Sequence, residues 1–118
     1  MKEINFVDIL LEERSRIETE WSLAEADARR ILLNTFLPLY KSLLIKGESL
    51  KIMVCQRFDL KFGYFLSGEG VEDVDGKTMA KLFEVAPEYG ISIVQIPNTV
   101  KRNGVLYKVY DFVVELPE

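Results

Sequence analysis

The first third of the chain repeats its apolar residues at the spacing of an α-helix. These residues fall near one face, with glutamates and arginines opposite, which is the pattern of an amphipathic helix. Asn5 is a suitable N-cap residue, because its side-chain oxygen can accept from a free backbone N–H of the first turn. The apolar residues are Phe6, Ile9, Leu10, Ile17 and Trp21.

Two features leave the course of this helical region open. The stretch Ser22-Leu23-Ala24-Glu25 fits a capping box, which would begin a second helix; one continuous helix is the alternative. Helical character then continues through Ile45. Pro38 predicts a kink or break near residues 35–37, since it lacks a backbone donor, and Gly47 is a suitable C-terminal cap.

After the helical region the apolar residues alternate with other residues, which is typical of β-strands. Residues 50–55 and 60–66 predict a hairpin, and the three-residue connection Arg57-Phe58-Asp59 keeps one of its faces apolar. A two-residue connection would mix the two faces. The predicted cross-strand pairs are Leu50 with Leu66, Ile52 with Tyr64 and Val54 with Phe62.

Residues 67–85 contain fragments of two ligand-binding patterns. A phosphate-binding loop would need glycine where Val71 stands, and a calcium loop would need an oxygen ligand where Lys77 stands. The interpretation that accounts for every residue is a connector in which Asp75 caps a short helix from Lys77 to about Val85. The side chains expected to face inward are Met79, Leu82 and Phe83.

The last segment predicts a second hairpin, with residues 91–101 and 105–116 on either side of Asn103-Gly104, a strong hairpin-turn signal. Pro97 indicates an edge strand or a bulge. Both faces of this hairpin are apolar, whereas a half-solvated strand should be polar on one side. One face carries Val94, Ile96, Val100, Val105, Tyr107, Val109 and Val113; the other carries Ile91, Ile93, Tyr110, Phe112, Val114 and Leu116.

The order of elements predicts an α+β fold, α-α-β-β-α-β-β, with N-terminal helices packed on an antiparallel sheet built from two hairpins that a short helix separates. The length of 118 residues predicts a single domain over residues 1–118. Residues 1–47 form its helical part and residues 48–118 its β-β-α-β-β part.

Composition excludes several classes of function. The chain has no histidine, the commonest general base near neutral pH. Its single cysteine, Cys55, cannot form an intramolecular disulfide, which favours a cytoplasmic location. No apolar run reaches the roughly 18–20 residues of a membrane span. We therefore expect no catalytic residues, no metal, no cofactor, no membrane contact and no small-molecule substrate.

The excess of apolar strand surface indicates that another molecule covers it. We expect a non-catalytic, cytoplasmic protein-binding module, acting as a regulator, inhibitor or adaptor through a homodimer or a protein partner. The candidate interface residues are the first hairpin face, Val94, Ile96, Val100, Val105, Tyr107, Val109 and Val113, together with Phe6, Leu10 and Trp21 of the first helix.

Two alternatives use other residues. Cations interleaved with aromatic rings at the hairpin ends are typical of single-strand nucleic-acid binding, although the net charge of −4 opposes it. These candidates are Arg57, Phe58, Lys61, Lys101, Arg102 and Lys108. Asp59-Leu60-Lys61 also matches a short element of magnesium-dependent nucleases, a weaker alternative because three residues recur often by chance.

Overall fold

The protein has a mixed α+β fold. The computed structural model describes residues 4–57, 64–65, 71–72, 74–102 and 104–117. The helices are α1 (Phe6–Ile31), α2 (Leu37–Lys46) and α3 (Gly76–Val85), and the strands are β1 (Lys51–Arg57), β2 (Tyr64–Phe65), β3 (Val71–Glu72), β4 (Ser92–Arg102) and β5 (Val105–Val113). The predicted fold class is confirmed.

Helix α1 is continuous through the predicted capping box. Its first turn is capped as expected, because the Asn5 side chain accepts from the backbone N–H of Val7 at 2.9 Å. Ser22 is exposed in the middle of the helix, so the serine and glutamate that fit a cap serve as ordinary helix-surface residues. The alternative of one continuous helix is correct.

A single π-helical turn, Leu32–Phe36, separates α1 from α2. Within it the N–H of Leu37 donates to the carbonyl of Leu32, five residues earlier. A proline ring collides with the carbonyl four residues before it, and the wider turn just before Pro38 makes room for that ring. Helix α2 follows this turn directly and ends at Gly47, whose φ is 71°.

Strands β1, β5 and β4 form an antiparallel sheet in that order. The second predicted hairpin is confirmed, with Arg102 opposite Val105 at the turn and Ile96 opposite Val109 further along. The register shifts between Ile96 and Thr99. Both expectations for Pro97 hold, since β4 lies at the edge of the described sheet and the proline lies in the shifted segment.

Among the described residues, each strand of the first predicted hairpin forms a ladder with a further neighbour. Ile52 lies opposite Phe112 of β5, and Tyr64 lies opposite Glu72 in the separate two-stranded sheet of β2 and β3. Strands β1 and β2 lie close together, in rough agreement with the predicted hairpin. Because a strand has two edges, the pairing of Ile52 with Phe112 does not exclude a second partner, and the pair Ile52–Tyr64 stays a prediction. The partners predicted from residues 60–63 and 66 lie outside the described residues.

The main core lies between the helices and one face of the sheet. Phe36 of the π-helical turn contacts Phe112 of β5, with ring centroids 5.5 Å apart. Tyr40 of α2 donates its hydroxyl to the carbonyl of Phe112 at 2.7 Å, and burial raises the pKa of this phenol above its ordinary range. These contacts hold the helical part and the sheet together.

Helix α3 packs between α1 and the sheet as its pattern predicts. The carboxylate of Asp75 accepts a hydrogen bond from the backbone N–H of Thr78 at 2.7 Å. This hydrogen bond is the main cause that lowers the pKa of the Asp75 carboxyl group. Met79 and Leu82 are fully buried. Asp75 thus serves as the predicted N-cap. A 3-10 turn, Ala86–Tyr89, ends the helix, and Gly90 follows with a φ of 80°.

Candidate protein-binding surfaces

The N-terminal part of α1 projects away from the rest of the chain. Every residue from 6 to 19 is exposed, and we name this segment the helix arm. At the α-helical rise of about 1.5 Å per residue, the helix arm is about 21 Å long. The molecule measures 71 × 35 × 21 Å and has a radius of gyration of 18.0 Å. A compact chain of this length would have a radius of about 13.5 Å, so the protein is elongated.

The helix arm exposes large apolar side chains. Phe6 is 73% exposed and Leu10 is 65% exposed, which places both predicted interface residues on the open surface. Steps of seven, four and three residues connect Leu10 and Ile17 to Ala24, Ala28 and Ile31, and these last three residues are buried. The apolar stripe that packs within the molecule therefore continues uncovered along the arm. The exposed apolar residues of the arm are Phe6, Val7, Ile9, Leu10, Leu11 and Ile17.

Ion pairs line the polar side of the arm. Arg16 pairs with Glu13 and Glu20, and Arg14 lies 3.9 Å from Glu18. Pairs three or four residues apart support helical structure by a few tenths of a kcal/mol each. They maintain the helix of the arm without covering its apolar stripe.

The base of the arm is fixed to α3. Lys77 pairs with Glu20 and is the largest influence lowering the pKa of that carboxyl group. Lys81 lies 3.8 Å from Glu25 and 5.7 Å from the centroid of the Trp21 ring. Trp21 is half-buried and already engaged within the chain, so of the three predicted helix residues it is the least available to another molecule.

The sheet face directed away from the main core is partly covered by the chain itself. Cys55 and Val109 are buried there in a small second cluster, which removes Val109 from the surface that a partner could touch. Val94 is 49% exposed. The half-buried members of this predicted face are Ile96, Tyr107 and Val113. The side chains of Val100 and Val105 lie outside what the structure describes.

An apolar groove lies beside α2, and it was not predicted from the sequence. It lies between the π-helical turn, α2, Tyr89 and the residues that follow β5, and it encloses a cavity of about 300 Å³. The lining is almost entirely apolar, and its rim carries Lys41. Its exposed apolar residues are Leu33, Leu37, Leu44, Tyr89 and Leu116.

The available sequence signal for this groove was the composition of α2. Leu39 and Leu43 pack against the core. Leu37 and Leu44 are exposed, so α2 also carries apolar side chains outside its core-facing side. A helix that is apolar nearly all round is usually covered on more than one side. The other wall, formed by Tyr89 and Leu116, is distant in sequence and could not have been assigned.

The basic positions proposed for nucleic acid come together at one end of the sheet. The backbone register places Arg57 opposite Tyr107 and Lys108 opposite Gln56, with Lys101 opposite Leu106 on the neighbouring pair. Lys101 is exposed and Lys108 half-buried. Phe58, Asp59 and Lys61 lie outside the described residues. The side chains of Arg57 and Arg102 also lie outside what the structure describes.

The described residues lack two further kinds of functional feature, a membrane-spanning helix and a cluster of metal ligands. They contain no helix with the length and apolar character needed to cross a membrane, and no three metal-ligating side chains gather among them. Comparison with protein-family models, curated proteins and solved structures finds no match to this chain.

Proposed function

We propose that this chain is a non-catalytic protein-binding module, a regulator, inhibitor or adaptor, and that its contact surface is the helix arm. The observation that carries the proposal is the apolar stripe of α1, which is buried at Ala24, Ala28 and Ile31 and exposed from Phe6 to Ile17. A cluster of large apolar side chains on an open surface is typical of a protein contact.

The arm has the form of a known recognition mode. An amphipathic helix that places its apolar face in a groove presents anchors at steps of three, four and seven residues, and steps of four and seven separate Phe6, Leu10 and Ile17. Full burial of one such side chain contributes about 1.5–3 kcal/mol. A few of them on a preformed helix can supply a useful affinity, because less ordering is needed on binding.

The cellular setting is part of the proposal. Cys55 is the single cysteine of the sequence and is buried, and a chain that cannot form an intramolecular disulfide suits a reducing compartment. We therefore place the module in the cytoplasm.

A comparison of captured proteins tests the proposed function. Tagged wild-type protein and a Phe6→Glu/Leu10→Glu variant would be incubated with extract of the native host, and the captured proteins would be identified. Because both side chains are exposed, circular dichroism should show the same fold for both proteins. We expect a set of proteins, the chain itself included, that wild type retains and the variant loses. Identical sets would contradict the proposal.

Nucleic-acid binding is the second candidate, and the strand register supports it. The two basic segments, separate in sequence, lie at the same end of the sheet because Arg57 is opposite Tyr107. Anisotropy titrations with single-stranded and double-stranded oligonucleotides, at low and moderate salt, test this candidate. Salt-sensitive binding that weakens in Lys101→Glu would support it, and an absence of binding at low salt would remove it.

A further inference from the structure

We propose that the groove beside α2 receives the helix arm of a second copy of this chain, so that two copies exchange arms reciprocally. This inference rests on the proposed function and names its partner. The groove is the apolar surface lined by Leu33, Leu37, Leu44, Tyr89 and Leu116, with Lys41 at its rim.

The two surfaces match in length. The exposed stripe of the arm extends from Phe6 to Ile17, and the helical wall of the groove extends from Leu33 to Leu44. Each covers eleven residue steps, which at the rise of an α-helix corresponds to about 16 Å. A helix laid along the groove would therefore bring the whole stripe of the arm against the whole apolar wall.

The two surfaces are also complementary in charge. Residues 4–19 contain four acidic and two basic side chains, a net charge of −2. The groove lining carries one charged side chain, the cation Lys41, and its helical wall α2 adds Lys46 and no acidic residue. Of the two acidic residues next to the opposite wall, Glu88 and Glu115, Glu88 is paired with Arg29. Opposite potentials favour this pairing, whereas two acidic arms would repel one another. The charge pattern thus favours arm against groove over arm against arm.

One copy cannot fill its own groove. Leu10 and Leu37 are 27 residues apart along a helical region interrupted by one π-helical turn, a distance of about 40 Å at the usual helical rise. A second copy supplies the missing arm, and reciprocal exchange satisfies both surfaces of both copies in a closed two-fold assembly. That closure limits the assembly to a dimer.

Two variants that damage different halves of the contact provide the test. Leu10→Glu places a charge on the arm and leaves the groove intact, and Leu37→Glu, at a position 42% exposed, places a charge in the groove and leaves the arm intact. Leu106→Glu is the matched control, since Leu106 is an exposed leucine of β5 outside both surfaces. Circular dichroism would establish that all three retain the wild-type fold.

Sedimentation velocity would first be measured for each protein alone. We expect wild type and Leu106→Glu to be dimers, and Leu10→Glu and Leu37→Glu to have dimer dissociation constants raised at least about 100-fold, as for loss of a buried anchor from both contacts. The two defective variants would then be mixed, one of them fluorescently labelled. One intact arm and one intact groove remain in that pair, so we expect it to associate at least about tenfold more tightly than either variant with itself.

Three outcomes would overturn arm exchange. A Leu37→Glu protein that stays dimeric would indicate that the arms pair with each other. A mixture no tighter than its components would show that the two surfaces do not meet. A monomeric wild type at high micromolar concentration would leave the arm to another protein: the exchange would then be wrong, while arm-dependent capture from host extract would still support the proposed function.

Discussion

The two parts of α1 share one helix and one apolar stripe, but they have different surroundings. Residues 20–31 pack against α3, with Ala24 and Ala28 buried. Residues 6–19 are exposed throughout. An isolated helix of about 14 residues is marginal in water, so the arm depends on its Asn5 cap, its ion pairs and its continuation into the packed part. The periodicity of a helix therefore indicates that one face will be covered, but not by which molecule.

The two parts also differ in the size of their apolar residues. Where α1 packs against α3, its buried residues include Ala24 and Ala28 beside the larger Ile31, and the two small side chains let the neighbouring helix approach closely. The arm instead presents Phe6, Leu10 and Ile17, and large side chains of this kind are the anchors of helix-in-groove contacts. The difference in size agrees with a packed part committed to this chain and an arm directed to another.

Matched isoleucine truncations should show the largest contrast between the two parts. Ile31→Ala removes a buried side chain and should lower the free energy of unfolding by about 2–5 kcal/mol. Ile9→Ala makes the same chemical change in the arm, where the side chain is exposed, and should change it by no more than about 0.5 kcal/mol. Urea denaturation of dilute protein measures both, and comparable losses would mean that the arm is part of the core.

Removing the N-cap of α3 or of the arm should also affect the stability of the two parts differently, by a smaller amount. Asp75→Ala removes the cap of α3, the helix that covers the packed part of α1, and should cost about 1 kcal/mol of global stability. Asn5→Ala removes the cap of the arm. Because the arm can fray without exposing the core, this variant should lose helical signal in circular dichroism while its urea midpoint stays unchanged. A shift of that midpoint as large as the shift in Asp75→Ala would show that the arm unfolds together with the core.

The smallest expected effect concerns the ion pair at the boundary between the two parts. Lys77 lowers the pKa of Glu20 from its ordinary value of 4.5, so the carboxylate stabilises the folded state above about that pH and loses this contribution as the pH falls through the lowered pKa. Acid titration of the urea midpoint should show the loss in wild type and lack it in Glu20→Gln. Glu12→Gln, a similar change within the arm that leaves the pair of Lys77 and Glu20 intact, is the control and should retain the loss. A Glu20→Gln profile identical to wild type would exclude a role for this pair.

Much of the fold could be predicted because its signals are local. The Asn5 and Asp75 caps, the break near Pro38, the turn at Asn103-Gly104 and the irregularity at Pro97 each follow from the backbone chemistry of one or two residues. The pairing of β1 with β5 could not, since alternation in β1 is equally satisfied by any neighbour with an apolar face. That pairing joins residues that are 50 to 62 positions apart in the sequence.

The candidate surfaces were predictable in part for the same reason. Periodicity identified Phe6 and Leu10, but it could not separate them from Trp21, which has the same spacing and contacts its own chain through Lys81. The apolar outer face of the sheet was assigned correctly, as the register of Ile96 with Val109 shows. The burial of Val109 depends on tertiary packing and has no local signal. The groove depends on Leu116 meeting α2, which is also a long-range contact.

Amide hydrogen exchange along α1 tests the central claim most directly, because it reports each part of the helix separately. Wild-type protein would be measured at low and at high micromolar concentration, and again with any protein captured from host extract. The account predicts fast exchange in residues 6–19 of the dilute protein, strong slowing there when a partner or second copy is present, and unchanged slow exchange in residues 20–31. Fast arm exchange under every one of these conditions would contradict it.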